Sequence, residues 1–236
     1  MDLELKKHLQ TYLTEHRNNR FQKVISERTC HFTVVTEDVY QLHNTSAVMR
    51  TCDVFGIQDL HVVEEKVSKR IDKEIAMGAQ KWVNFNRYNS IEKCISGLKD
   101  SGYQIIATTP HDNSTMLHEF DVTKKSAFFF GRELDGLSEN VMSQADGFLK
   151  IPMYGFTESL NISVSAAIIL QSVVTKMKQS NVNWQLSEEE KFEVEMQWLK
   201  NTIKASDEII ERYYLENPKS QIPNKGSKFK IKKNDF

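Results

Sequence analysis

The side chains best suited to chemistry gather in three short stretches. The first, NTSAVMR at 44–50, carries Asn44 and Arg50; the second, FFFGRELDGLS at 128–138, carries Glu133; the third, IPMYGFTESLNISVSAA at 151–167, carries Ser159 and Asn161. Together they offer a guanidinium, a carboxylate, a hydroxyl and two amides, groups that hold anions and orient hydrogen-bonding partners. Other chemistries lack their residues. GRELDG has neither the Gly-x-Gly-x-x-Gly of a dinucleotide fold nor the Gly-Lys-Ser/Thr of a phosphate loop. No His-Glu-x-x-His or paired Cys/His spacing points to a metal, no Gly-x-Ser-x-Gly points to an esterase, and the seven histidines are scattered.

Each of these residues also has a plain structural reading. Asn44 can cap a helix, and Ser159 and Asn161 can cap the helix expected from about 163. Arg50 alone can be a surface cation, and Glu133 can pair with Arg132 or a lysine, an exposed pair of small energetic weight. The run Phe128–Phe130 reads as core, not as a platform for stacking bases.

The elements that must position them follow from periodicity. HFTVVTEDV (31–39), IQDLHVVE (57–64), YQIIATTP (103–110), SAFFFG (126–131) and GFLKIPMYG (147–155) read as strands. Helices are expected at about 45–55, 70–77, 90–99 and 163–179, with Gly56 supplying a left-handed cap behind the first. This alternation calls for an α/β fold on a parallel sheet. Outside it, residues 1–28 read as an N-terminal helical extension with amphipathic spacing. A capping box at Ser187 and Glu190 opens a C-terminal helical extension within 181–217, and residues 218–236 form a basic flexible tail with six lysines against one aspartate. No internal repeat and no clear second core are visible.

Lys and Arg number 31 against 32 Asp and Glu, so no global field steers nucleic acid or membrane to the chain. Any such partner must meet a local patch. The N-terminus lacks a signal-like apolar core, AAIIL at 166–170 is too short to span a bilayer, and the three cysteines (Cys30, Cys52, Cys94) read as reduced thiols. A soluble, cytoplasmic protein is expected.

In order, spacing and residues, the three stretches resemble the three motifs of the SpoU/TrmH family of RNA ribose 2′-O-methyltransferases, within the SPOUT superfamily. The resemblance covers residues 31 to about 175. It implies that residues 29–180 form a SPOUT methyltransferase domain whose C-terminal part is threaded into a deep trefoil knot. It also implies S-adenosylmethionine as cofactor, held by Thr108, Gly131, Ile151 and Leu160. Glycines at 131, 136 and 155 would let backbone approach that ligand. The resemblance assigns catalysis to Arg50, Asn44, Glu133, Ser159 and Asn161, with Arg50 engaging RNA phosphate. It further implies a homodimer acting on tRNA, at guanosine 18 of the D-loop. Arg132 and the N-terminal Arg17, Arg20 and Lys23 would be further RNA contacts. Ribosomal RNA or another tRNA nucleotide as substrate, and a non-catalytic RNA-binding protein of the same fold, stay open alternatives. No metal is implied.

Overall fold

Phe32, Val34 and Val35 stand beside two threonines in FTVVTE, a composition that favours extended backbone, and the run forms β1 (Phe32–Glu37), buried at every position. Burial on both faces is the mark of a central strand in a parallel sheet. The computed structural model describes residues 1–39, 42–65, 76–110, 114–132 and 135–218. Around β1 it arranges β2 (Asp59–Val63), β3 (Asn84–Tyr88), β4 (Gln104–Thr108), β5 (Thr115–Met116), β6 (Ser126–Phe130) and β7 (Gly147–Lys150) in the order β3-β2-β1-β6-β4-β7-β5. Every pairing is parallel.

Helices cover both faces. On one side α3 (Leu42–Val54) and α6 (Ile162–Lys178) pack together over Phe32, Val34, Phe128 and Phe130. On the other, α4 (Ile91–Asp100) and α5 (Glu139–Gln144) cover Val35, Ile105 and Phe129. The expected α/β sheet is therefore present. Gly56 takes the left-handed conformation expected of it, with φ 75°. Differences lie at boundaries. α3 begins at Leu42, so Asn44 sits inside the helix and not ahead of it. The two-residue β5 was not expected, and the polar stretch NFNRY forms an edge strand. Most of the helix expected at 70–77 lies outside the described residues.

The far end of α3 is fixed by a buried cation. Arg28 pairs with Asp53 and donates to the Ile57 carbonyl at 3.3 Å. Burial lowers the Arg28 pKa, and the Asp53 carboxylate counters that shift.

Residues 28–185, which contain this sheet, form one compact unit; residues 1–27 and the described residues from Leu186 to 218 form another. In the latter, α1 (Leu3–Gln10) and α2 (Glu15–Ile25) pack against α7 (Glu188–Thr202), which is followed by α8 (Ser206–Glu216). The Ser187–Glu190 capping box forms with both bonds. Leu5, Leu9, Phe21, Trp198 and Leu199 are buried here, giving a second packing centre that the sequence did not reveal, since its halves come from opposite chain ends. At its middle Glu195, 3% exposed, accepts from Lys6 Nζ at 3.1 Å, Gln10 Nε2 at 2.6 Å and Gln22 Nε2 at 2.7 Å. Replacing Glu195 with alanine strands three donors, and we expect a loss of about 2–4 kcal/mol in the urea unfolding of this unit. Among the described residues no helix is long and apolar enough to cross a membrane.

Candidate active site

In a parallel sheet, ligands sit beyond the carboxyl ends of the strands. A cavity of about 650 Å³ opens there, past the ends of β4, β6 and β7. That volume suits a small-molecule ligand. The exit of β4 is tied to both neighbours: Thr108 Oγ1 donates to the Phe129 carbonyl at 2.7 Å and Thr109 N to the Leu149 carbonyl at 3.0 Å. Thr108 and Thr109 both line the cavity.

The second stretch turns back on itself as it leaves β6. Arg132 and Gly136 exchange backbone bonds, N to O, at 2.9 and 3.0 Å, and Arg132 Nη1 pairs with Asp135 Oδ2 at 3.0 Å. Gly136 needs φ 68° to close this turn. Gly131 is required for a different reason: a Cβ there would overlap the backbone of Gly136 and Leu137. At these two positions the glycine serves loop closure, and both glycines also line the cavity. At Gly155 a Cβ would meet only Thr157 N, at 4.0 Å, so no crowding within the protein requires that glycine, and it is not among the cavity-lining residues.

The third stretch runs without regular structure to Asn161, the N-cap of α6. Asn161 Oδ1 accepts from Ser163 N at 2.9 Å and Ser163 Oγ at 2.6 Å, while its Nδ2 donates to Asn44 Oδ1 at 3.2 Å. The plain reading as a cap is thus realised, and the same side chain joins the third stretch to the first. Asn44 is 2% exposed, inside α3. Ile151, Ser159, Leu160 and Asn161 line the cavity together with Thr108, Gly131 and Arg132. Seven residues singled out in the sequence therefore share one site.

Others stand apart. Arg50 is exposed on α3 and is not among the cavity-lining residues. Arg17, Arg20 and Lys23 are exposed on α2, in the other compact unit. Glu133 and residues 219–236 lie outside the described residues. Sequence reasoning left Glu158 and Met153 without a role and gave Ser165 only a packing role in the helix, although all three line the cavity. For Met153 and Ser165 no local pattern distinguishes a wall residue from packing.

Neither Cys52 nor Cys94 offers an activated nucleophile. Burial raises the Cys52 pKa, and burial followed by the Glu37 carboxylate pushes Cys94 up to about 12. Among the described residues no group of three or more His, Cys, Asp or Glu is arranged to hold a metal ion.

Comparison with known proteins points the same way. A profile of the SpoU rRNA Methylase family matches residues 31–171. A tRNA (guanosine(18)-2'-O)-methyltransferase of Borreliella burgdorferi is 37% identical over 196 residues, covering 83% of this chain and 90% of that protein. One of Thermus thermophilus is 38% identical over 157 residues, covering 66% and 81%. The crystal structure of the A. aeolicus TrmH/SpoU tRNA modifying enzyme superposes with a TM-score of 0.73 at 32% identity, covering 80% of this chain and 98% of that one. With the profile spanning most of the sheet-bearing unit and this identity running beyond it, the chain belongs to the SpoU methylase family.

Proposed function

We propose that the protein transfers a methyl group from S-adenosylmethionine to a ribose 2′-hydroxyl of tRNA, that of guanosine 18. One observation carries the site assignment. The bond from Asn161 to Asn44 ties the first stretch to the third, which lines the cavity together with the second and with the exits of β4 and β7.

The residues present suit the cofactor. Ile151, Leu160, Ile162 and Ile169 give an apolar surface for an aromatic base, and Asp135 and Glu158 supply carboxylates for a cationic end. Thr108, Gly131, Ile151 and Leu160 would hold it. When bound, it supplies a methyl group on a positively charged sulfonium. What the chain must add is alignment of the ribose oxygen and stabilisation of the charge that develops on it. A guanidinium stays protonated and cannot serve as the base. Arg50 binds the phosphate next to the target ribose and stabilises the developing alkoxide, and the proton passes to phosphate or water. Asn44 and Asn161 orient the site from the helix junction, Ser159 adds a hydroxyl to the lining, and Glu133 is a further catalytic residue by the resemblance of its motif.

Further RNA contacts fall to Arg132, Arg17, Arg20 and Lys23. We read the C-terminal part of the sheet as a deep trefoil knot, supported by an order in which β6 enters between β1 and β4 and β7 between β4 and β5. A cytoplasmic homodimer fits the surface. Val164 and Ile168 are 44% and 37% exposed on α6, a helix without a charged residue from Ile162 to Thr175, and Tyr154 and Phe156 are almost wholly exposed on the cavity-bearing loop.

The test is methyl transfer to unmodified tRNA, with the alkali-resistant linkage mapped. A single modified linkage at guanosine 18 is the expected result. Modification elsewhere, or of ribosomal RNA alone, would replace the substrate assignment. Absence of S-adenosylmethionine binding in calorimetry would turn the reading toward a non-catalytic RNA-binding protein.

A further inference from the structure

We propose that Glu37, which no motif singled out, is a positioning residue for the cavity: its carboxylate pins the loop that forms the second wall. The proposal deepens the reading of this cavity as an S-adenosylmethionine site and rests on it.

Thr36 of β1 pairs with Phe130, the last residue of β6. Glu37 therefore lies one step further, beside the point where Gly131 leaves the sheet. It is 3% exposed, and its Oε2 accepts from the backbone N–H of Ser138 at 2.8 Å. A carboxylate removed from water needs such a donor, and a charge-assisted bond to an amide is among the stronger ones. Ser138 is where the loop becomes α5, and its hydroxyl accepts from Val141 N at 3.4 Å. The loop thus has two anchors, β6 at its start and Glu37 at its end, with the Arg132–Gly136 exchange between them. Gly131, Arg132, Asp135, Gly136 and Leu137 line the cavity, whereas Glu37 does not. Its influence on a ligand runs through the loop.

The next residue reinforces this. Asp38 is a non-glycine residue at φ 47° and is 6% exposed. Its N–H donates to the Val63 carbonyl at 2.9 Å and its Oδ1 accepts from Glu65 N at 2.9 Å. Strained backbone of this kind persists where surrounding bonds over-determine it. The consequence is a fixed exit from β1 that holds the Glu37 carboxylate at Ser138. Glu37 shares a face of β1 with Val35, the face covered by α4 and α5, and its carboxylate also contributes to raising the Cys94 pKa there.

The test uses the full chain. In Glu37→Ala, exchange of the Ser138 amide, measured by NMR without cofactor, should speed up at least about tenfold, and S-adenosylmethionine affinity in calorimetry should fall about tenfold. Glu37→Gln keeps an acceptor for the amide and should hold both within about threefold of the parent. Should Glu37→Ala fold poorly, Ser138→Pro removes the donor at a residue whose φ of -65° suits proline. It should lose affinity as Glu37→Ala does, while Ser138→Ala, which loses only the cap hydroxyl, should not. A variant with a lowered Tm but unchanged cofactor affinity would show a merely structural carboxylate and overturn the proposal. Unchanged exchange at Ser138 would overturn it as well. Because the exchange measurement needs no ligand, it still judges the tether if the parent protein binds no S-adenosylmethionine, a result that would count against the cofactor reading itself.

Discussion

Arg50→Ala is expected to lower kcat/KM for tRNA methylation by about a thousandfold, with Tm and cofactor affinity unchanged. The unchanged Tm and affinity follow from where the residue sits, and the rate loss follows from the phosphate-binding role proposed for it. Arg50 is exposed on α3 while its neighbours Met49 and Cys52 are buried at 0%, so deleting its side chain opens no cavity in the core. It is absent from the cavity wall, so the cofactor should not sense its loss. What disappears is a planar, permanently charged fork suited to a phosphate and to a growing alkoxide. Arg50→Lys keeps charge but loses the fork, and should recover only a small part of the rate. Near-normal turnover of that variant in single-turnover kinetics would rule out a specific guanidinium role.

The second large effect is expected at Gly131. Alanine there would force its Cβ into the backbone of Gly136 and Leu137, and neither neighbour is a side-chain tip that can swing aside. The turn must open, at a cost of about 3 kcal/mol, and the cavity loses the wall that the turn supports. We expect S-adenosylmethionine affinity to fall by about a hundredfold, about 2.7 kcal/mol, alongside the lowered stability. Gly136→Ala makes a sharp internal control. Its φ is 68°, but a Cβ there would meet nothing within 4 Å, so only backbone strain of about 1–2 kcal/mol applies. Calorimetry and thermal melts on the pair separate the two causes. Equal losses at 131 and 136 would mean that the backbone crowding at Gly131 is not what shapes the wall.

Local rules reached most of the sheet-bearing unit. Branched and aromatic runs marked β1 and β6, Gly56 marked the end of α3, and Ser187 with Glu190 marked the start of α7. Each depends on residues within a turn or two of one another. The polar edge strand β3 and the two-residue β5 escaped because pairing partners, not composition, make them strands. At the site, the cap made by Asn161 was legible because its acceptor and donor are two residues apart. Its bond to Asn44 spans 117 residues and that of Glu37 to Ser138 spans 101, distances over which no spacing rule operates. The packing centre around Glu195 was hidden for the same reason, since Gln10 and Gln22 reach it across 185 and 173 residues.

The place of β6 between β1 and β4 also governs how the molecule is made. A nascent chain that has not yet produced Ser126–Phe130 can pair only β1, β2 and β3, leaving β1 with a bare edge and β4 and β5 without partner strands. Such long-range closure is slow, and open edges invite wrong partners until it happens. The late strand also delivers Gly131 directly to the cavity. Because the wall also draws on residues 151–169, the ligand site is completed only after β7 and the third stretch have been made, and a chain ending at β6 lacks that part of the wall.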